Sequence, residues 1–456
     1  MASEQTAAAT EDLPEGEAPD KATVRKAVAA SSIGNCIEWF DFGVFSAGVM
    51  TTIVGTVFFP PDDGGSAVLR SFALIAAAFV ARPFGGMFFG PLGDRIGRKS
   101  VLAITIILMS GSTFLIGILP GYDTIGIAAP LALLAVRLVQ GFSTGGEYGG
   151  AATVIAEYAP TRKRGFFGSF LEFGTLSGYI LGAGLVLGVD LVLSDEALHS
   201  WGWRIPFLIA LPLGLVGLYI RTKLEDTPEF QKMEKAGEVS RSPLRETLVH
   251  NWPMILNLIG IVILLNVANY TLLTFMPSYL ATNLDISSTT ASLITIGVEL
   301  AMLAVIVPLG SLSDRIGRKP LLLTAAIGFI LVSYPAISLM QTQKTLPILL
   351  GFGLMGALLV LMLAVIGSTF PAMFPTRVRY GAFAIGYNIS TSLFGGTAAL
   401  VIEKMIKTTG SNYIPAYYLM IAGAIAIVPI LMLPETARVP IGKCGHSRKP
   451  EERVPV

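Results

Sequence analysis

Histidine and cysteine are nearly missing from this 456-residue chain, which has three histidines (His199, His250, His446) and two cysteines (Cys36, Cys444). Cys36 falls in an apolar run and Cys444 in a polar tail, so no disulfide joins them. No metal-ligand spacing occurs, and neither metal nor cofactor is expected. No nucleophile–base set marks an enzyme. Charge is scarce as well, at 14% with a net of +1. Its cations are spread along loops, so no nucleic acid is expected as a partner. Arg98-Lys99-Ser100 lacks the Gly-Lys-Ser/Thr ending of a phosphate-binding loop. Residues 1–20 are acidic and Ala-rich, too polar for a signal peptide, so the first apolar helix itself directs insertion. That segment and the tail from about 440 are expected to be disordered.

What is present is apolar: 53% of residues, with a mean hydropathy of +0.67. A soluble domain could not hide that surface, whereas a bilayer receives it, and about 20 apolar residues suffice to cross one. The bounded runs are 29–57, 67–90, 100–119, 126–156, 166–190 and 203–221, then 254–279, 289–310, 319–339, 347–373, 381–403 and 414–433. An all-α membrane protein of twelve transmembrane helices in two six-helix bundles is expected, spanning 29–221 and 253–433. A tail (1–28), a charged and partly helical connector (222–252) and a second tail (434–456) complete it. Lys and Arg gather on one set of connections, including Arg95, Arg98, Arg162, Arg164, Arg221, Arg315, Arg318, Arg377 and Arg379. These are cytoplasmic by the positive-inside bias, with both termini, in an inner-membrane protein.

The strongest pattern is a repeat. Gly90–Ser100 reads GPLGDRIGRKS and Gly310–Pro320 reads GSLSDRIGRKP, each between the second and third run of its half. Two weaker echoes accompany it. Pro160-Thr161-Arg162-Lys163-Arg164-Gly165 matches Pro375-Thr376-Arg377-Val378-Arg379-Tyr380-Gly381, and Leu224-Glu225-Asp226-Thr227 matches Leu433-Pro434-Glu435-Thr436. Duplication at half-chain spacing in so apolar a chain is the plan of a secondary transporter. In the repeated loop, Gly90, Gly97 and Gly317 allow tight turns and close approach. Asp94 with Arg95 and Arg98, and Asp314 with Arg315 and Arg318, can pair locally. Their carboxylates suit the positive N-terminus of a helix such as the eleventh. With Arg164 and Arg379 they read either as a cytoplasmic latch between the halves or as plain positive-inside turns.

The phrase G-x-L-[small]-D-R-x-G-R-K resembles the signature of the major facilitator superfamily, over essentially the whole chain. Gly34-Asn35-Cys36-Ile37-Glu38-Trp39-Phe40-Asp41-Phe42, Gln140–Tyr148 and Trp201–Phe207 resemble its metabolite:proton symporter family. Leu272–Leu280, Phe370–Thr376 and Pro415–Met420 are most similar to the ProP-type proline/betaine transporters. The resemblance implies a proton-coupled importer of small zwitterions with a monomeric functional unit. The chain ends without the C-terminal coiled coil of some such proteins.

Ionisable residues inside a membrane are costly and carry a functional hypothesis. Glu38 and Asp41 in helix 1, Arg137 and Glu147 in helix 4, Glu172 in helix 5 and Glu299 in helix 8 qualify. At 1.5 Å per residue, Glu38 lies roughly 6 Å from the midplane and Glu147 at a similar depth. Two nearby carboxylates favour holding one proton, so Glu38, Glu147 and Asp41 are the proton-coupling candidates. All histidines fall in loops or the tail. Asn35, Glu38, Phe42 and Phe45 share one helix face. With Trp39 and Tyr148 they offer rings for a cationic nitrogen, and Asn266, Asn269 and Tyr270 give helix 7 a polar face. Arg137 is read either as the partner of a substrate carboxylate or as half of an internal ion pair. An organic-acid symporter and a transporter-like sensor remain the alternative readings.

Overall fold

The computed structural model describes residues 21–60, 67–223 and 251–441. The expectations for residues 1–20, for most of the connector with Leu224–Thr227, and for the tail from 442 lie outside the described residues. Among these, eleven helices are long and apolar enough to span a membrane, and a bent pair makes a twelfth. The spans are α1 (Lys21–Ser46 with Gly48–Val57), α2 (Ala67–Ile96), α3 (Arg98–Ile118), α4 (Ala128–Tyr158), α5 (Thr161–Val192) and α6 (Arg204–Thr222). The second set is α7 (Trp252–Thr282), α8 (Ser288–Ile316), α9 (Lys319–Met340), α10 (Thr345–Thr369), α11 (Thr376–Thr409) and α12 (Ile414–Met432).

Burial runs opposite to that of a soluble protein. Val80, Phe84, Leu331, Leu346 and Val428 are exposed, while Glu38, Asp41, Arg82, Arg137, Glu147 and Glu172 are buried. The outer surface is the one lipid accepts, and the ionisable groups are kept inside. In the first half α1 packs on α5, α2 on α4 and α3 on α6. In the second, α9 packs on α10 and α12, and α7 on α12. The seam between halves is made by α5 against α8 and α10, and by α11 against α2 and α4. The α1–α5 contact is a ladder of small residues: a Cβ on Gly174, Gly178 or Gly182 would fall within 2.5 Å of the carbonyl oxygen of Ser32, Cys36 or Phe40. Backbones touch there, as small residues allow.

Three helices are irregular near mid-membrane. α1 bends by 75° at Ala47, whose ψ of 123° is extended. The break frees the Phe45 carbonyl, which accepts a hydrogen bond from the Thr51 hydroxyl at 2.7 Å. α7 and α11 each contain a wide π turn, at Tyr270–Phe275 and Thr391–Gly395. They meet where Gly395 packs against the Tyr270 ring, and Thr391 donates to Oδ1 of Asn266, one turn earlier in α7, at 3.2 Å. The two repeated loops have one conformation: Gly97 and Gly317 have φ of 95° and 96°, a region that penalises any side chain.

Candidate functional site

Around the seam the buried charges sort into pairs. Arg137 Nη1 donates to Asp41 Oδ2 at 2.6 Å and to Gln140 Oε1 at 2.8 Å, and its guanidinium lies 3.4 Å over the Phe45 ring. Glu147 Oε1 is held by Arg221 Nη2, which passes directly over Gly34. Arg82 Nη2 stands 3.8 Å from Glu38 Oε1. Glu172 Oε1 accepts from the Tyr148 hydroxyl at 2.5 Å. Glu299 is buried in α8 with no cation paired to it among the described residues.

An aromatic cluster closes the seam beside these charges. Trp39 and Phe42 on α1, with Phe79 on α2, meet Tyr270 on α7 at ring-centroid distances of 6.1, 6.4 and 5.1 Å. Tyr148 stacks on Tyr387 of α11 at 4.3 Å, and Tyr179 Oη shares a 3.0 Å hydrogen bond with Thr274 of α7. Asn269 is buried next to Tyr270, its Oδ1 without a hydrogen bond. The void between Arg82 and the Asp41–Arg137 pair measures about 10 Å³, room for at most one water. The bundles touch on both sides of this cluster, through Phe72 and Phe275 on one and Gly90 and Gly381 on the other. A cavity of about 1250 Å³ lies away from these charges, between the starts of α1 and α5 and the end of α8.

Several expectations need correcting. Asn35, Glu38, Phe42 and Phe45 do not present one face to the seam, because α1 is surrounded by neighbours. Asn35 donates to Leu171 O and Thr175 Oγ1 on α5, at 2.8 and 2.7 Å, and Phe45 packs between Arg137 and Phe207. Arg137 is engaged through Nη1 by Asp41 and Gln140, which is the internal-pair reading, while its Nε and Nη2 make no hydrogen bond. Arg221 is not a loop cation but a buried one in the last turn of α6. Arg82, Tyr179 and Tyr387 were missed. A lone Arg well inside the 67–90 run was the available signal for Arg82.

The repeated loops reach across the seam. Asp94 Oδ2 accepts the Gly381 amide of α11 at 2.8 Å. Asp314 accepts the Gly165 and Phe166 amides of α5 at 2.8 and 2.9 Å. Each carboxylate thus sits on the positive N-terminus of a helix from the opposite half. Arg98 backs Asp94 at 3.2 Å, and Arg318 backs Asp314 at 2.9 Å. Glu157, at the end of α4, gathers Arg379 at 2.7 Å and Arg98 at 3.7 Å. Gly90 and Gly310 allow the backbones to meet. The Arg95 and Arg315 side chains are exposed and form no ion pair among the described residues. Residues 433–441 then run beneath both contacts. Glu435 accepts the Arg318 amide at 2.9 Å, and the Val439 and Ile441 carbonyls accept from Arg164 and Arg379 at 3.0 and 2.9 Å.

Two helical bundles, with acids and arginines collected at their seam and carboxylates clasping helix ends across it, define a secondary transporter. The profile of the "Major Facilitator Superfamily" matches residues 258–450, and that of "Sugar (and other) transporter" matches 26–248. The glycine betaine/proline/ectoine/pipecolic acid transporter OusA of Dickeya dadantii is 44% identical over 431 residues, covering 92% of this chain and 85% of its own. The proline/betaine transporter of Escherichia coli K12 is 43% identical, covering 92% and 86%. Among solved structures, the proton:xylose symporter XylE bound to 6-bromo-6-deoxy-D-glucose superposes with a TM-score of 0.75 at 18% identity, covering 91% and 97%. The inward-open XylE of E. coli gives 0.68, covering 92% and 98%. The chain belongs to the major facilitator superfamily, in the family of the ProP-type proline/betaine transporters.

Proposed function

We propose that this protein is a proton-coupled symporter that imports small zwitterionic osmoprotectants, such as proline and glycine betaine, by alternating access. The observation that carries the reading is 43–44% identity over 92% of the chain to transporters named for those solutes. The working unit is a monomer in the inner membrane, lipid-facing around its rim, with both termini cytoplasmic. Trp39, Phe42, Tyr148, Asn269 and Tyr270 line the substrate path. Asp41 serves to fix Arg137. The charge count supports proton coupling: among the described residues, and apart from the cytoplasmic contacts of Asp94, Arg98, Glu157 and Arg164, the buried acids of the first bundle are Glu38, Asp41, Glu147 and Glu172 and the buried cations are Arg82, Arg137 and Arg221. One bound proton removes the surplus. Glu147 is its carrier, because protonation would release Arg221 and loosen α4 from α6 beside the cytoplasmic contacts. The loops around Asp94 and Asp314 are the latch that keeps the cytoplasmic side shut.

The test is uptake of labelled glycine betaine, proline and 2-oxoglutarate into proteoliposomes, with and without an imposed pH gradient. Accumulation of the first two that collapses with the gradient is expected. Accumulation independent of the gradient ends the coupling claim, and preference for 2-oxoglutarate ends the substrate claim.

A further inference from the structure

Arg82 rises from the middle of α2, is fully buried, and spends its guanidinium on the opposite bundle. Nε lies 3.3 Å from Asn388 Oδ1 on α11, and Nη1 lies 3.4 Å from Tyr270 Oη on α7. Both are at the long end of hydrogen bonding. Nη2 makes no hydrogen bond, and neither oxygen of Glu38 accepts one; Trp39 Nε1 is unpaired as well. The neighbouring ion pairs are tighter, at 2.6 Å for Asp41–Arg137 and 2.7 Å for Glu157–Arg379, against 3.8 Å here. A cation and an anion are thus held apart in a dry, low-dielectric seam, where an unmet charged group is costly. The ring faces of Trp39, Phe42, Phe79 and Tyr270 surround the same spot.

We propose that Arg82 and Glu38 are the two poles of the substrate seat. The solute's carboxylate takes the Arg82 fork, and its cationic nitrogen turns to Glu38 and the rings of Trp39 and Phe42. The inference rests on the zwitterion-symporter reading above and deepens it. Insertion is balanced in charge, since a carboxylate meets a guanidinium and an ammonium meets a carboxylate. A planar guanidinium binds a carboxylate bidentately, and ring faces attract quaternary nitrogen. The arrangement also assigns Asn388 and Tyr270 a task. They are placeholders from the second bundle that hold Arg82 while the seat is empty. A substrate carboxylate displaces them, so its arrival cuts ties between α2 and both α7 and α11. Substrate binding and release of the seam become one event.

The experiment is equilibrium binding of glycine betaine to the full-length protein in nanodiscs, for wild type, Arg82→Gln, Arg82→Lys, Glu38→Gln and Tyr270→Phe. Arg82→Gln and Glu38→Gln should each weaken binding roughly 10- to 100-fold, the range for losing a charged hydrogen-bond partner. Arg82→Lys should keep the charge, lose the fork and fall between; it carries the test if the Gln variant does not fold. Tyr270→Phe should raise affinity by up to about 3-fold, because it removes a competitor for Arg82 and keeps the ring. A merely structural Arg82 would instead make Tyr270→Phe as damaging as Arg82→Gln. That result, or wild-type affinity in a folded Arg82 variant, overturns the assignment. Wild type that binds neither betaine nor proline overturns the symporter reading itself, and is told apart because the variants play no part in it.

Discussion

Replacing Asp314 by Asn should tip the transporter toward its inward-open state. In the present arrangement Asp314 accepts two amides at the start of α5, at 2.8 and 2.9 Å, and is backed by Arg318. Asn keeps the shape and one accepting oxygen but loses the charge that the helix end and the guanidinium both favour. A charged hydrogen bond contributes about 1.5–3 kcal/mol, and one amide would lose its acceptor. These contacts join α8 to α5 across the seam and cannot survive cytoplasmic opening, so the loss falls on the closed state. A change of about 1–3 kcal/mol moves the closed-to-open ratio about 5- to 150-fold. Once Cys36 and Cys444 are replaced, spin labels at Lys163→Cys and Ile316→Cys would report the separation of the two exposed positions. The longer-distance population should grow in Asp314→Asn, transport should slow, and betaine affinity should stay within a few-fold. An unchanged distance distribution with affinity lost would refute the latch, and Asp94→Asn offers the same test at the α2–α11 contact.

Glu147→Gln should abolish uphill, gradient-driven accumulation while leaving exchange of labelled for unlabelled substrate; undiminished accumulation removes Glu147 as carrier. Gly34→Ala should mimic it without replacing an ionisable residue, because the added methyl would sit 1.8 Å from Arg221 Nη2 and drive it from Glu147. Normal coupling in that variant would show that the pair is not needed. Gly317→Ala forces a side chain into φ of 96° and should lower stability by about 1–2 kcal/mol, read as a drop in the thermal midpoint in detergent. Truncation before Arg438 removes the carbonyls bonded to Arg164 and Arg379 and should raise labelling of a cytoplasmic-seam cysteine, whereas unaltered labelling would show that residues 438–441 are passive.

The spans were legible because a bilayer imposes a length and a composition that no packing detail overrides. The placement of Asp94 on the start of α11 was legible for a similar reason: a carboxylate repeated beside a glycine turn has few buried partners except a helix end. Arg221 was misread because hydropathy places a cation at a helix terminus in the loop, while a long flexible side chain can turn back toward Glu147. The face containing Asn35 and Phe45 failed because helical periodicity says which residues lie together, not which neighbour they meet. On a helix buried along most of its length, that is the deciding fact. Arg82 lay in plain view in an apolar run; the search for acids to carry a proton passed over a base able to hold an anion.

The wide turns of α7 and α11 bear on where water first enters. A π turn stretches the backbone ladder, leaving amides and carbonyls less firmly paired than in the helix around them. Tyr270–Phe275 is wholly buried next to the rings and Arg82, whereas Thr391–Gly395 is buried at its two ends and turns Leu393 outward. In hydrogen–deuterium exchange these two stretches should take up label ahead of the flanking turns of the same helices, and only as fast as the bundles part. Added betaine would then slow or hasten their exchange according to the state it favours. The two turns are therefore built-in clocks, timing alternation from backbone amides in a protein that carries no probe.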